Sequence, residues 1–198
     1  QQNKWVYYEN DSSKLNYNMT ENYIEPMKLP QYYQADDRWG AKRYGLSNMK
    51  LTGCVPTALA MAISGLKEDV NPVQVADFLY SMTMELNTTF LGTSSLGVQE
   101  VVSQWGLNYK VIDSKEELEK TLKNGTLVYG AVGHGIFVNG YSTHAVLLTG
   151  YENGKTKAFD PDNMAKTNKW YNIDDIWKER SLAPEDNMTG GAFIAIYK

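Results

Sequence analysis

One cysteine, two histidines and a scatter of carboxylates are the groups in this chain that could carry covalent or acid–base chemistry. Cys54 opens the most unusual stretch, Leu51-Thr-Gly-Cys-Val-Pro-Thr-Ala-Leu-Ala-Met-Ala-Ile-Ser-Gly65, in which small and apolar residues follow the thiol without a charge. Pro56 suits a first helical turn, where its missing N–H would have no partner. Gly65 is expected to stop the helix. The stretch therefore reads as a helix buried on most sides, with a thiol on its first turn facing unpaired backbone N–H groups. Such a setting favours thiolate over thiol. The competing reading is a small buried hydrophobe, since free cysteine is among the most buried residue types.

A nucleophilic thiol needs a base within reach and a third group to orient that base. The bases on offer are His134 and His144. His134 lies between glycines in Gly133-His-Gly-Ile-Phe-Val-Asn-Gly140 and reads as a loop residue near a cleft. His144 starts the strand-like run Ser-Thr-His-Ala-Val-Leu-Leu-Thr-Gly-Tyr, whose return after Glu152-Asn-Gly154 ends at Phe159-Asp160-Pro161. A two-residue Asn153-Gly154 turn would set His144 opposite Asn163 and leave Asp160 on the other face. A three-residue loop, Glu152-Asn153-Gly154, with Gly154 left-handed as a bulge, shifts the pairing by one. His144 and Asp160 then become diagonal neighbours on one face, within reach of a carboxylate–imidazole bond. The bulged form is the expectation. Asp160 can also be a turn former ahead of Pro161, and His144 a strand-edge residue of no function.

Other chemistries fit poorly. Zinc wants three or four protein ligands, and two histidines with one cysteine offer no close-spaced pair to start a site, so no metal and no cofactor is expected. There is no glycine-rich phosphate loop and no Gly-x-Ser-x-Gly elbow. The net charge is −4, with lysines and arginines scattered, which argues against nucleic acid as a partner. No apolar run approaches the roughly eighteen residues of a membrane span. The chain begins Gln-Gln-Asn-Lys without a basic-then-apolar leader, and abundant tyrosine and asparagine fit an exported protein. A single cysteine excludes an internal disulfide but not export.

The elements around these groups can be read from caps and periods. Residues 1–30 are polar with interspersed tyrosines and read as an arm packed on the body, ended by Pro26 and Pro30. Residues 31–198 form the domain. Gln31 to Gly45 is an aromatic and charged loop, with Asp36 or Asp37 capping a turn before Trp39. Asn71, Pro72 and Gln74 mark a capped helix start, followed by the stripe Val75, Phe78, Leu79 and Met82. Residues 83–94 read as a surface loop. Ser95 caps a helix bearing Val98, Val101, Val102 and Trp105, and Ser114 with Glu117 opens another bearing Leu118 and Leu122. Strands are expected over 107–112, 126–132, 144–151, 156–159 and 192–197, with a short helix over 173–179 capped by Asn172 or Asp174. Helices precede strands, so the class is α+β with an antiparallel sheet.

Taken in order, Gln34-Ala-Asp-Asp-Arg38-Trp39, Gly53-Cys54-Val-Pro56-Thr57-Ala58-Leu-Ala60-Met61, His144-Ala-Val146-Leu-Leu-Thr-Gly150-Tyr151 and Asp160-Pro161 resemble the bacterial C39-like group of papain-like cysteine peptidases. The resemblance spans roughly residues 28–198 and leaves the arm out. It implies the papain-like fold, with an N-terminal helical part packed on an antiparallel β-sheet. It further implies Cys54 as nucleophile, His144 as general base and Asp160 as its orienter. The glutamine of the matching motif, Gln34, would be an oxyanion donor beside the Cys54 N–H, although it lies twenty residues ahead of the cysteine, farther than in papain. Val55 stands where relatives commonly carry glycine, which narrows the cleft or reshapes the oxyanion loop without removing a catalytic atom.

The implied activity is thiol-dependent acyl transfer, foremost hydrolysis of peptide bonds, with amide or cell-wall cross-bridge transfer open to the same site. The expected partner is a peptide or protein substrate, cell-wall peptide included, met by a secreted or cell-surface monomer. Trp39, Tyr44, Trp105 and His134 are the residues to look for along a substrate cleft. The contrasting class is a non-catalytic surface or secreted binding module that keeps the fold and merely buries Cys54.

Overall fold

The computed structural model describes residues 22–82 and 92–198. Three short strands, β1 (Tyr23–Ile24) and the hairpin of β2 (Arg43–Tyr44) with β3 (Ser47–Asn48), precede a one-turn helix α1 (Met49–Thr52). Then come α2 (Cys54–Leu66), α3 (Pro72–Met82) and α4 (Ser95–Gln104). The second half runs β4 (Asn108–Ile112), α5 (Lys115–Lys123), β5 (Leu127–Val132), β6 (His144–Glu152), β7 (Lys155–Phe159), β8 (Lys169–Asn172), α6 (Ile173–Lys178), a 3-10 turn (Pro184–Asp186) and β9 (Phe193–Tyr197). The class is α+β, with a papain-like arrangement of helices on an antiparallel sheet.

The main sheet has the order β4-β9-β5-β6-β7-β8, every neighbouring pair antiparallel, and β1 joins it against the far end of β6. β5 is buried at every position and β6 at all but its two ends, which requires cover on both faces of the sheet centre. That centre is where α2 rests, with α3 and α4 packed on its other sides and α5 lying on β5 and β6. Nearly every residue of α2 after the cysteine is buried, from Val55 to Ile63. The helix expected around the thiol is therefore the middle of the core.

The caps behave as their chemistry predicts, with two departures. Asn71 and Gln74 form a reciprocal capping box, Gln74 N–H donating to Asn71 Oδ1 at 3.1 Å and Asn71 N–H to Gln74 Oε1 at 2.9 Å. Ser114 and Asn172 cap α5 and α6 through the N–H groups of Glu117 and Asp174. The cap of α4 is Ser94 and not Ser95, because Ser94 holds the extended backbone from which its hydroxyl reaches Gly97 N–H. Gly65 does not end α2, which continues through Leu66; a Cβ there would lie 2.3 Å from Leu29 Cδ2, so the glycine admits the 28–29 segment against the helix. The expected surface loop over 83–94 and the side chain of Met82 lie largely outside the described residues. So do residues 1–21 of the expected arm; its last part, from Tyr23, is a strand of the sheet.

The hairpin joining β6 and β7 departs from the expected form. Glu152 pairs with Lys155 across a two-residue Asn153-Gly154 turn, both residues left-handed at φ 47° and 82°, so the Asn-Gly pair takes its preferred tight turn. The extra residue sits farther along. Between the pairs Thr149–Lys157 and Glu152–Lys155, Gly150 and Tyr151 together oppose Thr156 alone. Gly150 has φ 76°, the geometry of a glycine bulge inside the strand. The one-residue shift is present, but its source is Gly150 and not the loop.

Candidate active site

Cys54 is the first residue of α2, and the turn that delivers it is tight. Gly53 precedes it as N-cap with no side chain to cap with, and a Cβ at Gly53 would fall 2.4 Å from the Met49 carbonyl oxygen. Only glycine allows α1 to fold back this closely on the start of α2. The thiol is partly buried, at the rim of the core.

His144 arrives from the other half, as the first residue of β6 and a partner of Val132 on β5. The bulge at Gly150 fixes what lies beside it. With Leu147 opposite Phe159, continuing the register past the end of β7 sets His144 across from Asp162, so Asp160 is its diagonal neighbour on the same face. The carboxylate makes that contact: Asp160 Oδ1 lies 2.7 Å from His144 Nε2. The same oxygen accepts the N–H groups of Asp162 at 2.8 Å and Asn163 at 3.1 Å, so Asp160 forms an Asx turn and holds the imidazole together. Its own N–H donates to Thr167 Oγ1 at 3.0 Å. Asp160 is completely buried, and Oδ2 has no hydrogen-bond partner among the described residues.

With Nε2 committed to Asp160, Nδ1 is the ring nitrogen left for the sulfur. Burial works against protonation of His144, but hydrogen bonds to Asp160 and to the Cys54 sulfur, with the negative charge on both, outweigh it and raise the ring's pKa to about 10. An imidazole held between a buried carboxylate and a thiol is the arrangement that exchanges protons with the sulfur. Cys54 and His144 border one small cavity of about 40 Å3, together with Thr93, Tyr129 and Asp186. Val55 is buried and lines it too. Burial pushes the Asp186 carboxyl up, against hydrogen bonds from Ser181 and Thr143. Tyr129 is likewise pushed up by burial, with Asp186 and Cys54 adding to it. A second, larger cleft of about 490 Å3 adjoins the small cavity at Cys54, Thr143 and Glu185, and is lined by the Thr52 and Tyr141–Thr143 segments.

The remaining expected site residues are placed as follows. Gln34 is buried; its Nε2 donates to the Lys50 carbonyl at 2.8 Å and its N–H to the Pro161 carbonyl at 2.8 Å. It thus ties the segment bearing Asp160 to the short helix that precedes Cys54, one amide hydrogen remaining, and it lines neither cavity bordered by the thiol. Trp39 is a core residue: its Nε1 donates to the Tyr33 carbonyl at 2.7 Å, its ring meets Tyr32 edge-on, and Arg38 stacks over it. Trp105 packs edge-on against Phe78 at the end of α4. Tyr44 is fully buried with its hydroxyl on Thr93. None of these three lines either cavity, because each ring's flat apolar area is used in packing. His134 is exposed in its loop, Nδ1 accepting from Gly140 N–H at 3.2 Å, and it too is absent from both linings.

Thr93, Tyr129, Thr143, Glu185 and Asp186 are among the cavity residues that sequence reading missed. Tyr129 and Thr143 sit within or beside predicted strands and carried no signal of their own. Pro184-Glu-Asp reads as a turn, and only the fold brings that turn back to the thiol. Gly150 did carry a signal, since an isolated glycine inside a strand marks a bulge.

The Peptidase_C39 like family model matches residues 27–189. Among solved structures, the chain is similar to the peptidase domain of Streptococcus ComA, a bi-functional ABC transporter involved in a quorum-sensing pathway, at 19% identity and TM-score 0.54, covering 86% of this chain and 96% of that one. It is also similar to a protein described as a C39-like peptidase from Bacillus anthracis, at 16% identity and TM-score 0.57, covering 88% and 98%. At these identities the likeness is one of fold. No curated protein matches the chain significantly.

Proposed function

Since the chain belongs to the Peptidase_C39 like family, we propose that it is a cysteine peptidase that hydrolyses peptide bonds with Cys54 as nucleophile, His144 as acid–base group and Asp160 as orienter. The observation that carries the reading is the His144 ring, bonded to Asp160 at 2.7 Å and raised in pKa by both that carboxylate and the Cys54 sulfur. On this reading the thiolate attacks the scissile carbonyl and the imidazolium gives its proton to the leaving amine. The neutral ring then takes a proton from water, and the hydroxide formed releases the acyl group from sulfur.

Negative charge on the carbonyl oxygen in the transition state falls to the Cys54 N–H, unpaired at the start of α2, and to the second amide hydrogen of Gln34. The first follows from helix geometry. The second requires the buried Gln34 amide, which lines neither cavity bordered by the thiol, to turn its free hydrogen toward substrate while keeping its bond to Lys50. A donor of this kind contributes on the order of 3 kcal/mol to the barrier.

The experiment is hydrolysis of a diverse peptide pool read by mass spectrometry, with Cys54→Ala as control. Cleavage that Cys54→Ala abolishes supports the reading. An unreactive pool, together with failure of iodoacetamide to label native Cys54, overturns it in favour of a binding module that keeps the fold.

A further inference from the structure

Glu185 lines both cavities that Cys54 borders, the small one and the cleft of about 490 Å3. The cleft has the size of a ligand site. Leu51 and Tyr141 stand exposed along its wall, Ser142 and Thr143 line it beside Tyr141, and Glu185 is the one charged residue among the described residues of its lining. Glu185 makes no hydrogen bond or ion pair with any described residue.

Its neighbours hold it in place. Asn187 Nδ2 donates to the carbonyls of Ser181 and Ala183 at 3.0 and 2.8 Å, and Ser181 Oγ donates to Asp186 Oδ2 at 2.6 Å. The turn carrying Glu185 is therefore built before any substrate arrives. An apolar wall ending in an unpaired carboxylate matches one kind of side chain, a long aliphatic stem with a cationic head. An acidic side chain would meet repulsion there, and a purely apolar one would bury the wall but strip water from Glu185 without replacing it.

Resting on the peptidase reading above, we infer that the cleft selects peptides carrying lysine or arginine beside the scissile bond, the stem lying along Leu51 and Tyr141 and the cation reaching Glu185. The test uses a peptide cut by the protein, with lysine, leucine or glutamate placed in turn at each of the two positions on either side of the bond. At one position lysine is expected to exceed leucine in kcat/KM by about fivefold, the size of a partly exposed ion pair, with glutamate slower than leucine. Glu185→Gln should erase the lysine advantage and Glu185→Lys should invert the order. Equal rates at all positions, or a lysine preference that survives Glu185→Gln, overturns the inference.

A second readout needs no hydrolysis. The lone cysteine can be modified with methanethiosulfonates bearing ethylammonium or ethylsulfonate groups, and the cationic reagent should react faster by a ratio that falls in Glu185→Gln. That result without any peptide cleavage would keep the cation-selective cleft and sink the peptidase reading. Cleavage with no charge preference, or a reagent ratio unmoved by Glu185→Gln, would do the reverse.

Discussion

Gly150 packs its left-handed backbone against Pro26, so closely that a Cβ on the glycine would fall 2.7 Å from Pro26 Cγ and 2.9 Å from its Cα and nitrogen. The contact joins two parts of the chain far apart in sequence. It lies where Met27 N–H donates to Thr149 Oγ1 at 2.9 Å and where Tyr23 and Ile24 pair with Glu152 and Tyr151. The bulge it belongs to moves the pairing of β6 and β7 by one residue. Without that shift Asp160 would project from the face opposite His144.

Gly150→Ala is accordingly expected to cost more than a methyl group would elsewhere. A left-handed alanine carries about 1–2 kcal/mol of backbone strain, and the clash with Pro26 adds to it. The expected result is a loss of 2 kcal/mol or more in denaturant unfolding (roughly twice the usual point-mutant effect), with slower alkylation of Cys54 in the protein that still folds. Unchanged stability would show that the bulge does not need glycine, and the account of register would fail.

Much of this was legible in the sequence, and the parts that were not share a cause. Caps are local, so Asn71–Gln74 and Ser114 could be read from neighbours in the chain. The thiol helix was legible because its apolar run has no charge to put in water. The link between His144 and Asp160 was also expected, but by way of a loop bulge, when the tight turn and an internal glycine together give the same register. What escaped was tertiary. Trp39, Tyr44 and Trp105 looked like cleft aromatics; the first two are packed into the core and Trp105 lies half-buried against it, because a ring's destination depends on which surface the fold offers it. The turn bearing Glu185 and Asp186 has no local mark of a site, and only closure of the sheet through β9 and β5 carries it to Cys54.

The protonation of His144 gives a pH dependence of definite sign. Its folded-state pKa of about 10 lies above the ordinary 6.5, despite burial, because Asp160 and the Cys54 sulfur bind the charged ring. The native state thus keeps a proton that the unfolded chain releases. Its contribution to stability is complete below about 6.5 and is lost as pH rises through about 10. Ring resonances of His144 should report imidazolium at pH 8, and Cys54→Ala should lower the titration midpoint. A native His144 that titrates near 6.5 would contradict the ion-paired geometry.

Asn71→Ala separates stability from chemistry. The substitution removes the acceptor for Gln74 N–H at the start of α3, away from both cavities. A loss of about 1 kcal/mol is expected in chemical denaturation, with the Cys54 alkylation rate unchanged in the folded range. A large fall in thiol reactivity would mean that α3 positions α2 more directly than the capping role implies.

Two substitutions at Asp160 should divide its two duties. Asp160→Asn retains an oxygen for the Asp162 and Asn163 N–H groups but removes the charge that favours the protonated ring and fixes its orientation. On the proposed reading peptide hydrolysis is expected to fall by about 10²–10⁴-fold with little change in unfolding midpoint, in line with carboxylate loss in Ser-His-Asp enzymes. Asp160→Ala leaves both N–H groups without their acceptor as well, and should cost a further 2 kcal/mol or so of stability. Kinetics at several pH values with parallel denaturation curves would read both effects. If Asp160→Asn hydrolysed peptides as fast as the parent, the carboxylate would be a turn former alone, and orientation of His144 would have to come from its place at the start of β6.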